Sequence, residues 1–512
     1  MKNLLISPPL YSYSNTFNSE MPIALMKLST HLKSRGEEVE LFDFVPYKSF
    51  HAMQNVTRQE SDFKVIRNQA NDGVKHDELK CYSKQEYGFN KYSFTRITGE
   101  YLTRLGFRRQ RYYCGAEKSL FIDYLKKNKP DKIWVSSGVT FHYKGTVEVI
   151  DWCKEVYPDV PVELGGIYPT LCYEHAVKNT KADVVHEGIS PEWCNSPMDI
   201  SILPNHPQYI VRQLSKGCPN RCKFCAVSYI DGLKVSFVDI DKDIQEIKEA
   251  RDKYGITRIK LWGSNTLMPG NGKLFEEWLD KLIALDGDFQ IVCPEGFAPE
   301  RLTLNLCKKI KKAGFNYIEI PLEDASEEYL TESMKKNYNI EEWSRAVDYA
   351  LEAGFCPGDI YVAIIIGTPM QGEENLEEAI RILHSKGVRP IARPYTPVPK
   401  SEWYETDELF PNLDLEVLHG YVFPAINNVE DYRKISRFSN LLTGDYIGDY
   451  KDVIESYVGE KERIKQRDKE SEMAQDLLSK MATILLDIAD QQKELISLIK
   501  EQNGKKDEKE TK

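Results

Sequence analysis

The chain has 512 residues, 41% of them hydrophobic and 29% charged, and its 68 basic against 79 acidic side chains leave a net charge of −11. At about 150 residues per domain this length predicts roughly three domains, with cores large enough to need no disulfide staples. The acidic balance argues against a surface built to neutralise nucleic-acid phosphates, and no apolar run reaches the roughly 18 residues a membrane helix needs.

The opening MKNLLISPPL holds too short an apolar run before Pro8 and Pro9 for a signal-peptide core, so a cytoplasmic protein is expected. Asn3–Ser7 reads as a strand. Ala24–Ser34 reads as a helix with Leu25, Leu28 and Leu32 on one face, closed by Gly36, and Val39–Phe44 reads as the next strand. Residues from about 47 to 113 are polar and aromatic and break this rhythm; they are expected to form an insertion with some helix of its own. Strands return at Lys132–Ser137, Val160–Gly166 and Ala182–Gly188, with a helix at Thr146–Tyr157 between the first two. Such alternation implies a doubly wound parallel sheet, whose ligands sit at the carboxyl ends of the strands. Residues 189–207, rich in Pro, Ser and Asn, read as a linker.

A second alternation follows. Strands are expected at Tyr209–Leu214, Arg258–Gly263, Gln290–Pro294, Tyr317–Glu323, Tyr361–Gly367 and Pro390–Pro394. Helices are expected at Asp241–Lys253, Gly272–Leu285, Glu300–Ala313, Ile340–Ala353 and Glu373–Ser385. This order suggests a partial (β/α)6 barrel with its chemistry in the loops after the strands. Beyond residue 400 the pattern becomes helical, and residues 474–499 carry an apolar heptad stripe suited to pairing with another helix, on this chain or on a second copy. The charged tail 503–512 is expected to be disordered. The predicted fold class is therefore α/β, with an N-terminal unit at 1–195, a barrel at 208–400 and a C-terminal helical region at 401–502.

The chain has 11 cysteines, an odd number that does not suit a disulfide framework, and three stand together as Cys218, Cys222 and Cys225. They follow the first barrel strand in a short loop containing Gly217 and Pro219, which can wrap three thiolates around one small centre. Thiolates favour iron–sulfur clusters or zinc. A structural zinc site wants a fourth ligand close by, and no Cys or His follows Cys225 until Cys293. Three ligands on a four-iron cubane would leave one iron open.

These three cysteines, with Phe224 before the last and a partial barrel around them, resemble the radical S-adenosylmethionine (SAM) superfamily. The resemblance implies a 4Fe–4S cluster whose open iron chelates SAM, and electron transfer that cleaves SAM to methionine and a 5′-deoxyadenosyl radical. It implies an electron donor such as a flavodoxin or ferredoxin. It also implies SAM contacts from other strand ends: Gly263 and Asn265 after the second strand, Glu295 after the third, Glu323 after the fourth and Gly367 after the fifth. The family often has a Gly-Gly-Glu stretch where this chain has Gly263-Ser264-Asn265, so Asn265 stands near an acidic position and would accept from an ammonium without charge assistance.

The N-terminal unit resembles the Rossmann-like cobalamin-binding domain of one radical SAM subclass. The matching residues are Ser7 and Pro8 after the first strand, Ser137 and Thr140 after the third, Gly165, Gly166 and Tyr168 after the fourth, and Glu187 with Gly188. The DxHxxG motif that brings a lower axial His in many cobalamin proteins is absent, so a cobalamin without that His is expected. His142, in the loop after the third strand, could face the corrin or act as a plain loop residue, beside Phe141 and Tyr143. Together the resemblances imply a cobalamin-dependent radical SAM enzyme that methylates an unactivated carbon. A cobalamin-dependent rearrangement or cyclisation, and a non-catalytic iron–sulfur carrier or scaffold, are the competing readings. No membrane or nucleic-acid partner is expected.

Overall fold

The computed structural model describes residues 1–12, 21–45, 111–203 and 209–422, with short backbone stretches between 79 and 108 and a few isolated positions elsewhere. Among the described residues, no helix is long and apolar enough to cross a membrane.

Strands buried on both faces read as continuous apolar runs, and Lys2–Ser7 (β1), with Leu4, Leu5 and Ile6 buried, is such a run. It lies in a five-stranded parallel sheet with Glu38–Asp43 (β2), Lys132–Ser137 (β3), Val162–Gly166 (β4) and Val184–Val185 (β5), in the order β5-β4-β3-β1-β2. The chain leaves β1 to one side for β2 and returns to the other side for β3. The strand order therefore reverses between β1 and β3. Ile23–Ser34 (α1) covers one face through Leu25, Leu28 and Leu32 against Leu5, each contributing about 2 kcal/mol by burial. Lys118–Lys127 (α2) covers the other face, where the rings of Phe42 and Phe121 lie 4.8 Å apart.

Tyr143–Val156 (α3) begins three residues earlier than the sequence predicts, after a 3-10 turn at Thr140–His142. Gly145 in its first turn reads as a breaker. It is there because Pro9 packs against it: a Cβ at 145 would lie 2.0 Å from the Pro9 carbonyl oxygen.

The second sheet strings together Ile210–Lys216 (β6), Arg258–Gly263 (β7), Gln290–Val292 (β8), Ile318–Glu319 (β9), Ile360–Ile366 (β10) and Arg389–Pro394 (β11), all parallel, with an Ile291–Phe315 bridge joining its two halves. Ile240–Tyr254 (α4), Lys273–Leu285 (α5), Leu304–Lys312 (α6), Ile340–Glu352 (α7) and Glu373–Lys386 (α8) fill the intervals. The outer face of β6 is tied to its helix by Arg212, whose guanidinium donates to Asp243 and Glu246 of α4, while Trp278 Nε1 of α5 donates to Asp243 at 2.8 Å. Each buried charge thus has a partner, as burial requires.

Around these two sheets the structure adds to the sequence reading. In the 47–113 insertion the described residues are strands: Leu79–Cys81, Tyr92–Ile97 and Arg111–Ala116 pair antiparallel with one another and with Leu10–Ser12, in keeping with alternating Tyr, Phe and Thr; the expected helix would lie outside the described residues. The 189–207 linker is anchored: Asp199 accepts from Ser29 Oγ at 2.6 Å and pairs with Lys33 at 2.7 Å, and Leu203 joins a core with Met21, Met26, Tyr209, Val211, Val292, Tyr317 and Tyr361. The strand expected over 317–323 shrinks to two residues because Pro321 lacks an N–H and Glu323 adopts φ +63°, although Leu322 and Glu323 still donate to the Ala363 carbonyl. From β11 to residue 422 the chain forms one short helix, Glu402–Thr406 (α9), and 3-10 turns at Phe410–Asn412, Leu415–Leu418 and Gly420–Val422, and most of the helical region expected at 401–502 lies outside the described residues. The 474–499 stripe lies outside the described residues apart from an isolated position.

Candidate functional site

The cysteine loop leaves β6 and is held by backbone on three sides. Cys218 N donates to Gly232 O at 3.0 Å, Lys223 N to Met334 O at 3.1 Å, and Trp403 N of α9 to Lys223 O at 2.9 Å. The Phe224 ring packs 6.0 Å from Trp403 and takes the Lys336 ammonium over its face at 5.5 Å. Two N–H groups address the sulfurs: Val227 N stands 3.5 Å from Cys225 Sγ, and Asn265 Nδ2 stands 3.9 Å from Cys218 Sγ. Burial pushes the Cys225 thiol up to about 11 and raises that of Cys222, whose shift Lys336 partly offsets. Desolvated thiols met by N–H donors suit thiolates whose charge a metal centre neutralises. Among the described residues no three His, Cys, Asp or Glu side chains converge on a single ion. A cubane places each thiolate on its own iron, so its ligands need no common point. The donor set and its N–H contacts fit a 4Fe–4S cluster.

Around this loop the expected strand-end residues have distinct fates. Gly263 is buried where a Cβ would crowd Ser215 Oγ at 2.8 Å and Thr266 Oγ1 at 2.9 Å. Asn265 is half-buried, with its amide toward Cys218 and its N–H on Ser215 Oγ. Glu323 is buried and bound to Lys336 Nζ at 2.9 Å, so its charge is already met within the protein. Glu295 is exposed after β8. Gly367 follows β10 in a turn closed by Gln371, whose Oε1 accepts from Gly367 N at 2.9 Å while its Nε2 donates to Asp324 at 2.9 Å and Ile365 O at 2.8 Å.

Sequence reasoning missed Lys336 and Gln371. Nothing in the pattern around Lys336 (MKKNY) marks it. Gln371 sits four residues beyond Gly367, a spacing at which a side chain can reach back to close the turn.

At the carboxyl edge of the five-stranded sheet, Ser137 Oγ accepts from Thr146 Oγ1 at 3.0 Å, and buried Thr140 opens the 3-10 turn. Gly166, at φ +109°, passes so close to β3 that a Cβ there would lie 2.0 Å from Ser137 O, whereas Gly165 has open space where a Cβ would go. The Tyr168 ring is buried beside Tyr143, and its hydroxyl lies 2.7 Å from His175 Nδ1. Ser7 is half-buried, its carbonyl accepting from Phe44 N at 3.0 Å, and Pro8 is buried. Gly188 N donates to Thr170 Oγ1 at 3.1 Å. Burial lowers the His142 pKa to about 4, so its ring is neutral. Its Nδ1 lies 2.5 Å from the Tyr11 carbonyl oxygen. The sequence set His142, Phe141 and Tyr143 together in one loop, but Tyr143 is helical and donates to Asp414 at 3.1 Å.

The two edges meet. Helix Ile167–Leu171, after β4, packs on helix Val227–Ile230, just beyond Cys225. Tyr229 OH donates to Glu187 at 3.2 Å, and Lys400 Nζ lies 5.6 Å from the Tyr229 ring centre. The carboxyl edge of the first sheet and the cysteine loop are thus neighbours.

Residues 213–383 match the model of the radical SAM superfamily. Over 193 residues, 36% of this chain and 42% of its relative, the chain is 28% identical to the ribosomal protein uS12 methylthiotransferase RimO of Dictyoglomus thermophilum. Over 169 residues, 32% of this chain and 30% of the relative, it is 27% identical to the cytidylyl-2-hydroxyethylphosphonate methyltransferase of Streptomyces wedmorensis. The chain spans 42% and 55% of the length of two RimO relatives, about half. In fold it is similar to the radical SAM methyltransferase TsrM of Kitasatospora setae, solved with tryptophan and a SAM analogue, at TM-score 0.51 and 14% identity over 79% of this chain and 75% of that one. A second TsrM structure, with cobalamin and a 4Fe–4S cluster bound, aligns at TM-score 0.50 and 13% identity over 79% of this chain and 77% of that one.

Proposed function

The chain is a radical SAM protein with the fold of TsrM, and from that premise we propose that it uses cobalamin together with its cluster to methylate an unactivated carbon. When bound, the reduced cluster supplies the electron that cleaves SAM, and cobalamin supplies a carrier for a methyl group. The observation that carries the reading is the contact between helix Ile167–Leu171, at the end of β4, and the helix just beyond Cys225. A ligand at the carboxyl edge of the first sheet would stand beside SAM at the cluster, which is the proximity a methyl acceptor needs.

The protein's own residues divide the work. Cys218, Cys222 and Cys225 hold the cluster, and Asn265 and Val227 direct N–H groups at its sulfurs. The Glu323–Lys336 pair and the Gln371-locked turn fix the strand ends where SAM would lie. Ser137, Thr140, Gly165, Gly166 and Tyr168 offer a neutral, close-packed rim to a flat corrin. A flavodoxin or ferredoxin serves as the electron donor. The similarity to the Streptomyces wedmorensis methyltransferase supports methyl transfer.

The test is product stoichiometry. Anaerobically reconstituted protein, given cobalamin, SAM with a deuterated methyl group, a chemical reductant and a small-molecule cell extract, is expected to pass the label to an extract component. S-adenosylhomocysteine and 5′-deoxyadenosine should form in comparable amounts. Turnover with 5′-deoxyadenosine but no S-adenosylhomocysteine would replace methyl transfer by rearrangement.

A further inference from the structure

Side chains two residues apart along a strand share a face. In the barrel, Val211 of β6, Val292 of β8, Tyr317 just before β9 and Tyr361 of β10 meet in one apolar cluster, with Ile391 of β11 packed against it. Strands from around the sheet can share a cluster only on its concave inner face, so this cluster floors the barrel. The rings of Tyr317 and Tyr361 stack there, 4.5 Å apart. Two residues further along the same faces stand Glu319 after Tyr317, Ala363 after Tyr361 and Arg393 after Ile391. They line the inside above the floor and below the strand ends that carry the cysteine loop and Gly367.

Two arginines of β11 share this face, and they differ. Arg389 is committed to the floor: its guanidinium lies 4.9 Å from the Tyr361 ring centre, and its Nη1 donates to the Tyr361 hydroxyl at 3.2 Å. Arg393 uses one nitrogen only, Nη2, which donates to the two Glu319 oxygens at 3.2 and 3.3 Å. Among the described residues its Nε and Nη1 have no partner. Its side chain is 48% exposed, whereas Glu319 is buried. A guanidinium carries five N–H donors in a fixed fork. Glu319 thus holds one corner of the fork and leaves the rest open. Burial also raises the Glu319 pKa to about 7 against the pull of Arg393, so the carboxyl group neutralises the guanidinium only in part.

We propose that Arg393, positioned by Glu319, binds an anionic group, carboxylate or phosphate, of a small-molecule substrate inside the barrel. The inference rests on the enzyme reading above and deepens it by naming the charge of the substrate. The open fork matches the geometry of either anion. Arg393 is in register with Ile365, two residues before Gly367. An anion held there would direct the uncharged end of the same molecule toward the strand ends where SAM would lie. An unactivated carbon has no polar group to grip, so a remote charge must supply the binding energy that places it.

The test uses the full chain with its cluster and cobalamin, left unreduced so that nothing turns over. It is incubated with SAM and a small-molecule cell extract and passed through gel filtration. Mass spectrometry of the compounds released from wild-type protein should find an anion other than SAM and cobalamin. Arg393→Gln should retain about tenfold less of it and Arg393→Lys an intermediate amount. Glu319→Gln removes a competing negative charge and should retain no less than wild type. Loss of retention from phosphatase-treated extract assigns a phosphate, and persistence assigns a carboxylate. If Arg393→Gln loses its iron or aggregates, Arg393→Lys and Glu319→Gln carry the result. Wild-type protein that retains no such anion, or equal retention by folded Arg393→Gln, overturns the anchor. So does loss of dithionite-driven SAM cleavage in folded Arg393→Gln without extract, which would assign the guanidinium to SAM. A retained anion that takes no label from SAM with a deuterated methyl group leaves the anchor standing and removes methyl transfer. A methylated compound without an anionic group overturns the anchor and leaves methyl transfer standing.

Discussion

At the carboxyl edge of the five-stranded sheet Ser137, Thr140, Gly165, Gly166 and His142 are uncharged, whereas the barrel mouth beside the cysteines adds a buried ion pair to its neutral strand ends. Glu323 and Lys336 are buried there as a pair, and Glu319, deeper in the barrel, lies 3.2 Å from Arg393. The barrel can bury charge because each strand end faces a helix or strand carrying the counter-charge. At the sheet edge one carboxyl group has no ion-pair partner among the described residues. Asp43, at the end of β2, is buried with Oδ2 unpartnered, and burial raises its pKa to about 7. The difference suits the two ligands proposed: an amino acid sulfonium carrying several charges, and a large flat macrocycle that asks mainly for close approach.

The comparison breaks first at the cluster. Replacing Cys218, Cys222 and Cys225 with Ala is expected to abolish iron binding and the visible thiolate–iron absorbance and to stop SAM cleavage, while cobalamin retention persists. Iron analysis and gel filtration on the same sample check both halves. Retention of four irons per chain would remove the assignment.

The ionic side is sharpened by Lys336→Met. It leaves the Glu323 carboxylate buried without its partner, at an expected loss of about 3 kcal/mol in denaturant unfolding. Adding Glu323→Leu should recover most of that loss, because an apolar pair removes the stranded charge. A double variant as unstable as the single one would mean that packing rather than charge sets the cost.

On the neutral side, Gly166→Ala should cost about 2 kcal/mol, since φ +109° disfavours a side chain and its Cβ would meet Ser137 O at 2.0 Å. Gly165→Ala meets no protein atom and should change stability by less than about 0.5 kcal/mol. Cobalamin retention that falls in Gly165→Ala at unchanged stability would identify Gly165 as ligand-facing; equal stability losses at both positions would contradict the packing described.

A pH slope tests the stranded carboxyl. With a pKa raised from 3.8 to about 7 by burial, the Asp43 carboxyl stays protonated in the folded chain after the unfolded chain has released its proton. Folding stability should therefore fall as pH rises from about 4 to 7, by up to about 1.4 kcal/mol per unit, with no contribution to the slope below or above that window. Asp43→Asn should flatten this slope in denaturation series at several pH values. An unchanged slope would show that Asp43 finds a counter-charge.

Much of the fold was legible because it is local. The strand and helix order of both sheets follows from apolar periodicity and from glycines at helix ends, and the CxxxCxxC loop could be read because all three thiols lie within eight consecutive residues. The start of α3 was misread because Gly145 answers to Pro9, a residue far away in the chain. The strand around Pro321 was overextended because pattern alone does not register a lost N–H. The linker at 189–207 showed no anchor in its own pattern because its partners, Ser29 and Lys33, lie in α1.

The sequence by itself made legible the CxxxCxxC loop, the α/β alternation and the resemblance to radical SAM proteins, since each is written in short contiguous stretches whose spacing is their meaning. Only the tertiary structure decided that Lys336 neutralises Glu323, that Gln371 closes the Gly367 turn onto Asp324, that Asn265 turns its amide to Cys218, and that His142 Nδ1–H donates to the Tyr11 carbonyl. Of these pairs, His142 and Tyr11 are separated by 131 positions. Such partners are chosen by which strand ends the sheet order places side by side, and that order is settled by packing over the whole sheet, where no single stretch of sequence carries it.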